Sequence, residues 1–460
     1  MGAFLATPSP PAGTLRFAPC LLPPVCHPCN GHRQPVGDER AVTSNEVQED
    51  GHGGTAPPRG RRAGFPWREG NRFRLLVDGD EFFPRMLAAV AAAREQVVLD
   101  LYMFESGRCG SRWIEALTAA AGRGLQVLAL IDDLGSEKLQ SDDREALRRG
   151  GVELAIYNPL RFGRGLANLL RDHRKLLLID GELAFVGGFC FSDDFDPEVK
   201  GEERWHDVAL EVRGPCVGDW WAMFAADWER WHGQPPSAAS LSPPTLEGGS
   251  PGRVAVNRVG RHRETRRGVL SAIAAAERRV WIATAYFVPP RGLRRALLRA
   301  ARRGVDVRLL LAGPDTDQPG IRRVAQGFYG RLLKAGVRMY ELQERCLHAK
   351  LALCDDWASV GSSNLDHWTL RWTRDANQEA RCPELAEALQ RMLQADFESS
   401  SEFDWERWHR RSRLRRLVER VLFRLHLLAT YWSFRRHLRS EIRSRRRRRQ
   451  ELASGLGRAP

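Results

Sequence analysis

Two segments of this 460-residue chain carry the same polar residues at the same spacing. The first reads Asp172-His173-Arg174-Lys175-Leu-Leu-Leu-Ile-Asp180 and leads to Gly187-Gly188. The second reads Leu347-His348-Ala349-Lys350-Leu-Ala-Leu-Cys-Asp355 and leads to Gly361-Ser362-Ser363-Asn364. The apolar runs read as strands, on which residues two apart share a face, so each segment projects an imidazole and an ammonium together. A lone pair of this kind is ordinary on a half-exposed strand. Two copies 175 residues apart, each followed by small residues that let a substrate approach the backbone, are not.

The set suits a phosphodiester. Two lysines and the Asn364 amide can hold the non-bridging oxygens of an anionic phosphate and stabilise its transition state. One imidazole can attack phosphorus to give a phosphohistidine. The other can protonate the departing oxygen and then deprotonate the incoming alcohol or water. No carboxylate cluster or His/Cys spacing suggests a metal, and no cofactor is expected.

The elements that must position these residues also repeat. AREQVVLDLYMF and SRWIEALTAAAGRGLQVLALIDD in the first half match AERRVWIATAYF and GLRRALLRAARRGVDVRLLLAGPD in the second; REALRRGGVELAIY matches GRLLKAGVRMYEL. Each is a strand, an amphipathic helix ending at a glycine (Gly124, Gly304) and another apolar strand. The pattern predicts an α/β fold of two homologous domains, each a mixed, largely parallel sheet flanked by helices, related by a pseudo-twofold axis. The expected boundaries are a disordered Pro/Gly-rich segment at 1–66, domains at 67–232 and 254–400, a linker at 233–253, and a basic tail at 401–460. Trp220, Phe224, Trp228 and Trp231 share one helical face and are expected in the core.

At 43% hydrophobic residues the chain can bury cores, which excludes global disorder. Nine scattered cysteines, an odd count, do not form a disulfide framework, and Cys26-His-Pro-Cys29 has no second pair at zinc spacing. No window of 18 residues is uninterruptedly apolar, and MGAFLATPSPPAGTLRF lacks the basic and long apolar regions of a secretory signal. A soluble or membrane-surface protein in a reducing compartment is expected.

The two segments resemble the duplicated HKD motifs of the phospholipase D superfamily over about residues 70–400. DHRKLLLIDGELAFVGGFCFSDDF, HAKLALCDDWASVGSSNLD and WHDVALEVRGPCVGDW carry the likeness, and within the superfamily the chain is most similar to short bacterial cardiolipin synthases without N-terminal membrane spans. The resemblance implies one active site between the halves. His173 would be the nucleophile and His348 the general acid, with Lys175, Lys350 and the motif carboxylates Asp180 and Asp355 completing the catalytic set. Both motif carboxylates fall at strand-end turns, where Asp is favoured structurally. Ser362, Asn364, Gly187 and Gly188 support the set. A further carboxylate is implied beside each histidine, for which Asp207 fits the first half and Asp375 the second; it would fix the tautomer and stabilise imidazolium.

Two departures stand out. Cys190 occupies the place where the superfamily has Asn, which removes one amide. The stretch from Asp355 to Gly361 is one residue shorter than that from Asp180 to Gly187, a deletion expected in the turn around Asp356-Trp357.

The net charge of +14 is concentrated. Residues 407–449 hold 17 Arg against Glu419 and Glu441, a net +15, so the other 417 residues sum to −1. Leu414, Leu417, Val418, Val421, Leu422, Leu425 and Leu428 make an apolar stripe there, followed by Tyr431, Trp432 and Phe434. The stripe reads as an amphipathic helix in a membrane interface, and Arg445–Arg449 suits anionic headgroups. Arg161, Arg164, Arg171 and Arg174 either attract a headgroup or line a solvated loop.

The implied activity is transfer of a phosphatidyl group from one phosphatidylglycerol to another, giving cardiolipin and glycerol, by an enzyme peripheral on the cytoplasmic face of the inner membrane. A hydrolytic phospholipase D, a nucleic-acid phosphodiesterase and a non-catalytic membrane-binding protein are the rivals. Nucleic acid is the less favoured partner, because a tail that tracks phosphates needs no leucines.

Overall fold

The computed structural model describes residues 64–160, 167–168, 170–237, 243–258, 262–366 and 373–410. Cys26 and Cys29, Arg161 and Arg164, and the leucine stripe of the tail lie outside the described residues.

The first half contributes β1 (Arg68–Val77), β2 (Gln96–Leu101), β3 (Gln126–Asp132), β4 (Glu153–Tyr157), β5 (Arg171–Asp172), β6 (Lys175–Ile179), β7 (Leu183–Gly187) and β8 (Val208–Arg213). The second contributes β9 (Ser250–Arg258), β10 (His262–Arg263), β11 (Arg279–Thr284), β12 (Asp306–Ala312), β13 (Arg338–Leu342), β14 (Lys350–Cys354), β15 (Trp357–Gly361), β16 (Thr373–Arg381) and β17 (Ser400–Phe403). Hydrogen bonding orders the first sheet β1-β8-β7-β6-β2-β3-β4. The second runs β9-β16-β15-β14-β11-β12-β13, with β17 added beyond β13. The two orders correspond strand for strand, which is the duplication read from the sequence.

Within the two sheet orders just given, β2–β3–β4 and β11–β12–β13 are parallel and the remaining ladders are antiparallel. The sheets are therefore mixed, with less parallel pairing than expected. The reason is local: the apolar runs behind each His-x-Lys fold back through tight turns, and strands joined that way must be antiparallel. Because they are buried on both faces, they read in sequence like parallel strands. The first turn leaves residues 180–182 between Ile179 and Leu183, and the second leaves 355 and 356 between Cys354 and Trp357, so the missing residue is in the turn.

Helices Arg108–Gly122 and Arg291–Arg302 occupy matching places after β2 and β11. Each buries one stripe (Trp113, Leu117, Ala120; Leu293, Leu297, Ala300). Gly124 and Gly304 end them at φ 88, the left-handed conformation that glycine adopts without a Cβ clash. Trp220, Phe224 and Trp228 of helix Cys216–His232 are buried, while Trp231 is half-buried against Tyr157.

Ordered elements overrun two expected boundaries. β9 begins at Ser250, inside the expected linker, where it pairs with β1. Beyond residue 400, β17 pairs with β13 and helix Trp405–His409 follows, so the expected tail starts with residues of the folded body. One apolar core draws on both halves, with Leu176, Leu178, Trp220 and Trp228 joined to Leu351, Leu353, Leu389 and Phe397.

Candidate active site

Two short parallel bridges tie the halves together where the paired motifs begin. Arg171 and Asp172 of β5 pair with Thr373 and Arg374 of β16, and the His173 amide donates to the Arg374 carbonyl at 2.9 Å. Reciprocally, His206 pairs with Leu347, and the His348 amide donates to the His206 carbonyl at 2.8 Å. Each bridge places a histidine of one half beside the residue following its partner segment in the other half. Those residues are Asp375 and Asp207.

The carboxylates are therefore crossed. His173 Nδ1 lies 2.9 Å from Asp375 Oδ1 and 3.0 Å from the Ser362 carbonyl. His348 Nδ1 lies 2.6 Å from Asp207 Oδ2. This corrects the expectation that Asp207 serves the first half and Asp375 the second: the motif histidines exchange carboxylates across the interface. Every partner of these Nδ1 atoms is an acceptor, so Nδ1 carries the proton, and in the neutral ring Nε2 keeps its lone pair.

Electrostatics bring the four groups into one site. Burial and Lys175 lower His173 to about 4 against the pull of Asp375, and Lys350 contributes in the same direction. Burial and Lys350 lower His348 against Asp207, with Lys175 adding to the effect. Each imidazole thus feels both ammoniums. Burial lowers Lys175, and burial brings Lys350 to about 8. Lys175 Nζ donates to the His173 carbonyl at 2.6 Å, and Lys350 Nζ donates to the His348 carbonyl, so each ammonium is held by its own motif.

The surroundings assign the remaining candidates. Ser362 Oγ donates to Asp375 Oδ1 at 3.1 Å and Thr373 Oγ1 donates to Oδ2, so Ser362 braces the carboxylate. A Cβ on Gly188 would stand 2.2 Å from Asp207 Oδ1, and one on Gly187 2.3 Å from the Val208 carbonyl. These glycines therefore make room for Asp207 and its strand, where the sequence had suggested room for a substrate. Asn364 is buried, with no hydrogen-bond partner for Oδ1, and Cys190, its counterpart, is buried with its thiol pushed up to about 11 by burial despite Lys175.

Asp180 and Asp355 are not part of this cluster. Each stands at the far end of its motif strand, about 17 Å from the motif lysine at strand rise. Asp180 accepts from the amides of Arg94, Glu95 and Gln96; Asp355 accepts from those of Glu277, Arg278 and Arg279. Both adopt positive φ, 52 and 51. They clamp the turn before β2 and β11, so their place in the expected catalytic set is corrected to a structural one.

Arg171 and Arg174 neither attract a headgroup nor sit in a solvated loop. Arg171 pairs with Asp132, and Arg174 with Asp100, Asp172 and Asp227, all buried. Arg374, just before Asp375, also bonds to Asp227. On the other side His206, just before Asp207, lies between Asp78 at 2.8 Å and Asp396 at 3.1 Å. Although burial opposes it, Asp396 and Asp78 hold this imidazolium and raise it to about 10. Asp227 and Asp396 stand at matching places, in FAADW and LQADF, a repeat signal that could have identified both. Three aromatic neighbours left no such signal. Tyr102 lies edge-on to His173 at 4.8 Å and under Lys175 Nζ, and Trp205 and Phe195 pack on His348 at 5.2 and 5.3 Å.

Comparison with known proteins identifies the family. The family model described as cardiolipin synthase, PLD-like domain, matches residues 86–195 and again 269–397. Cardiolipin synthase B of Salmonella typhi is 37% identical over 325 residues, covering 68% of this chain and 76% of that protein. Cardiolipin synthase A of Pseudomonas aeruginosa is 34% identical over 368 residues, 77% of this chain and 73% of that one. Among solved structures, phosphatidylserine synthase of Haemophilus influenzae superposes with a TM-score of 0.62 at 12% identity, covering 78% of this chain and 95% of that one, a likeness of fold. The duplicated motifs and these matches place the chain in the cardiolipin synthase family of the phospholipase D superfamily, as a phosphatidyltransferase.

Proposed function

We propose that this enzyme transfers a phosphatidyl group between two phosphatidylglycerol molecules, releasing glycerol and forming cardiolipin. The observation that supports it best is the pair of Nδ1-anchored imidazoles flanked by two buried lysines, in a chain so similar to cardiolipin synthases. His173 Nε2 attacks phosphorus as the bond to the glycerol oxygen breaks, and His348 Nε2–H protonates that oxygen. The terminal hydroxyl of a second phosphatidylglycerol then enters, gives its proton to His348 and attacks phosphorus, and the P–N bond breaks to return neutral His173. Lys175, Lys350 and the Asn364 amide hold the non-bridging oxygens.

Asp375 and Asp207 orient the two rings. Asp375 shares its charge with Ser362 and Thr373, whereas the side-chain donor to Asp207 is His348, at 2.6 Å. Asp207 is thus the stronger support for an imidazolium, which favours His348 as the acid and leaves His173 as the neutral nucleophile.

The two halves act as phospholipase D-like domains, approximately 67–232 and 250–410, around one site. The enzyme works on the membrane surface, at the cytoplasmic face of the inner membrane, with the basic C-terminal segment as one anchor. Purified enzyme given labelled phosphatidylglycerol in vesicles should form cardiolipin and glycerol, and H173A and H348A should not. Phosphatidic acid as the only product would replace the transferase with a hydrolytic phospholipase D, and plasmid nicking without lipid turnover would make it a nuclease.

A further inference from the structure

Helices Arg291–Arg302 and Pro319–Leu333 pack side by side on the second sheet and carry eight arginines and no carboxylate. Arg291, Arg295, Arg299, Arg302, Arg323 and Arg331 are exposed, and none forms an ion pair with a described residue. Of the eight, Arg322 alone has a carboxylate partner among the described residues, Glu341. Arg294 lies half-buried over the Phe328 ring, 4.9 Å from its centroid, with Nε unpartnered. Burial and the like charges of Arg331, Arg291 and Arg295 lower its guanidinium. Neither helix has an acid in its first turn, where acids would favour the helix dipole and arginines oppose it.

The counterpart surface of the first half is different. Helices Arg108–Gly122 and Ser141–Arg149 hold five arginines against Glu115, Asp142, Asp143 and Glu145. The fold therefore does not demand the charge, and the duplication has left it on one half only. This basic face also has a definite place. Thr284, which pairs with Lys350, ends β11, and residues 285–290 lead from that edge of the site to Arg291. Helix Trp405–His409 packs against helix Pro319–Leu333, with Trp408 against Tyr329 at 5.2 Å.

We infer that the Arg291–Arg302 and Pro319–Leu333 helices form a docking face for an anionic lipid bilayer, opening beside the catalytic site. The inference rests on the lipid reading of that site. It adds that the folded body, and not the C-terminal segment alone, holds the membrane. A bilayer fits because the charge is spread over two helix surfaces, matching a plane of negative headgroups.

The test uses the full chain. One variant combines R291Q, R295Q, R299Q, R323Q and R331Q; a matched variant removes five arginines from the first half, R72Q, R74Q, R94Q, R148Q and R149Q. Each charge near an anionic surface changes partitioning by roughly fivefold before screening, so the first variant should lose at least about tenfold in co-sedimentation with phosphatidylglycerol-containing vesicles. The matched variant should lose less than about threefold. Both should turn over detergent-dispersed phosphatidylglycerol like wild type, showing an intact site. Should the five-site variant melt early, the set R295Q, R299Q and R323Q carries the same comparison. Equal losses in the two variants, no loss, or equal binding to phosphatidylcholine vesicles overturns the inference, as does loss of DNA binding with vesicle binding unchanged. Failure of the lipid reading itself shows separately, as wild type that yields no cardiolipin from detergent-dispersed substrate.

Discussion

His173 takes its orienting carboxylate from Asp375, 202 residues along the chain and in the other half, at 2.9 Å. His348 does the same with Asp207. Neither half holds a complete His–Asp pair, so apposition of the halves is a condition for any turnover. An amide at either position keeps the shape but reverses a donor and an acceptor, favouring the wrong tautomer. D375N and D207N should each lower kcat by about 10²–10⁴-fold with KM little changed. Steady-state kinetics on dispersed phosphatidylglycerol measures this, and a loss confined to KM would show that these carboxylates hold substrate instead.

The two imidazoles can be told apart with a leaving group that needs no proton. With a p-nitrophenyl phosphatidyl ester, H348A should still form the phosphohistidine, because nitrophenolate departs unaided. It should then stall, for want of a base to activate the acceptor. A burst of about one nitrophenolate per enzyme and an acid-labile phosphoprotein are expected, and H173A should show neither. The opposite pattern would exchange the roles of His173 and His348.

Asp180 and Asp355 make a contrasting case. Each accepts three backbone amides at a turn and lies a strand's length from the lysines. D180A and D355A should each cost about 1–3 kcal/mol of stability, read as a lower Tm, while kcat of the folded protein stays within a few-fold of wild type. A large fall in kcat at unchanged Tm would return them to the catalytic set.

Burial holds Lys350 at about 8, so the free enzyme loses this positive charge as pH rises through that value. The phosphate-binding site is then weaker, and kcat/KM should fall above about pH 8. Because kcat/KM reports free-enzyme ionisation, the limb should be steeper there than in kcat, where bound phosphate favours the ammonium. A kcat/KM profile flat to pH 9.5 would exclude Lys350 as the group responsible.

How much of this was legible depends on range. The duplicated helix–strand units, the glycine stops and the two His-x-Lys pairs are local patterns, and they emerged with the right residues. The crossing of the pairs did not. Asp207 and Asp375 are each downstream of the nearest motif, and one chain read linearly assigns each to its own half; only the bridges at Arg171–Asp172 and His206 reveal the exchange. Arg171 and Arg174 were misread for the same reason, since their carboxylates Asp132, Asp100 and Asp227 arrive from other strands and a helix. Charge read along a sequence says nothing of its partners in space.

His206 offers the sharpest pH test. Its imidazolium is held between Asp78 and Asp396, which raise it to about 10 from an ordinary 6.5 despite burial. Below about pH 6.5 the folded and unfolded chains both carry the proton, and the pairing contributes fully to stability. Between about 6.5 and 10 the folded chain keeps a proton that the unfolded chain has lost, so this contribution declines as pH rises and is gone above about 10. The buried Lys350, lowered to about 8 from 10.5, has the opposite slope at the upper end, so the wild-type curve alone does not isolate His206. The difference between wild type and H206Q does. Denaturant melts should give a gap of about 3–5 kcal/mol near pH 6 that narrows steadily toward pH 10. Because His206 also carries the backbone that receives the His348 amide, H206Q should lower kcat while sparing KM. A stability gap independent of pH would mean that the ring is neutral and serves only to fill space between the two halves.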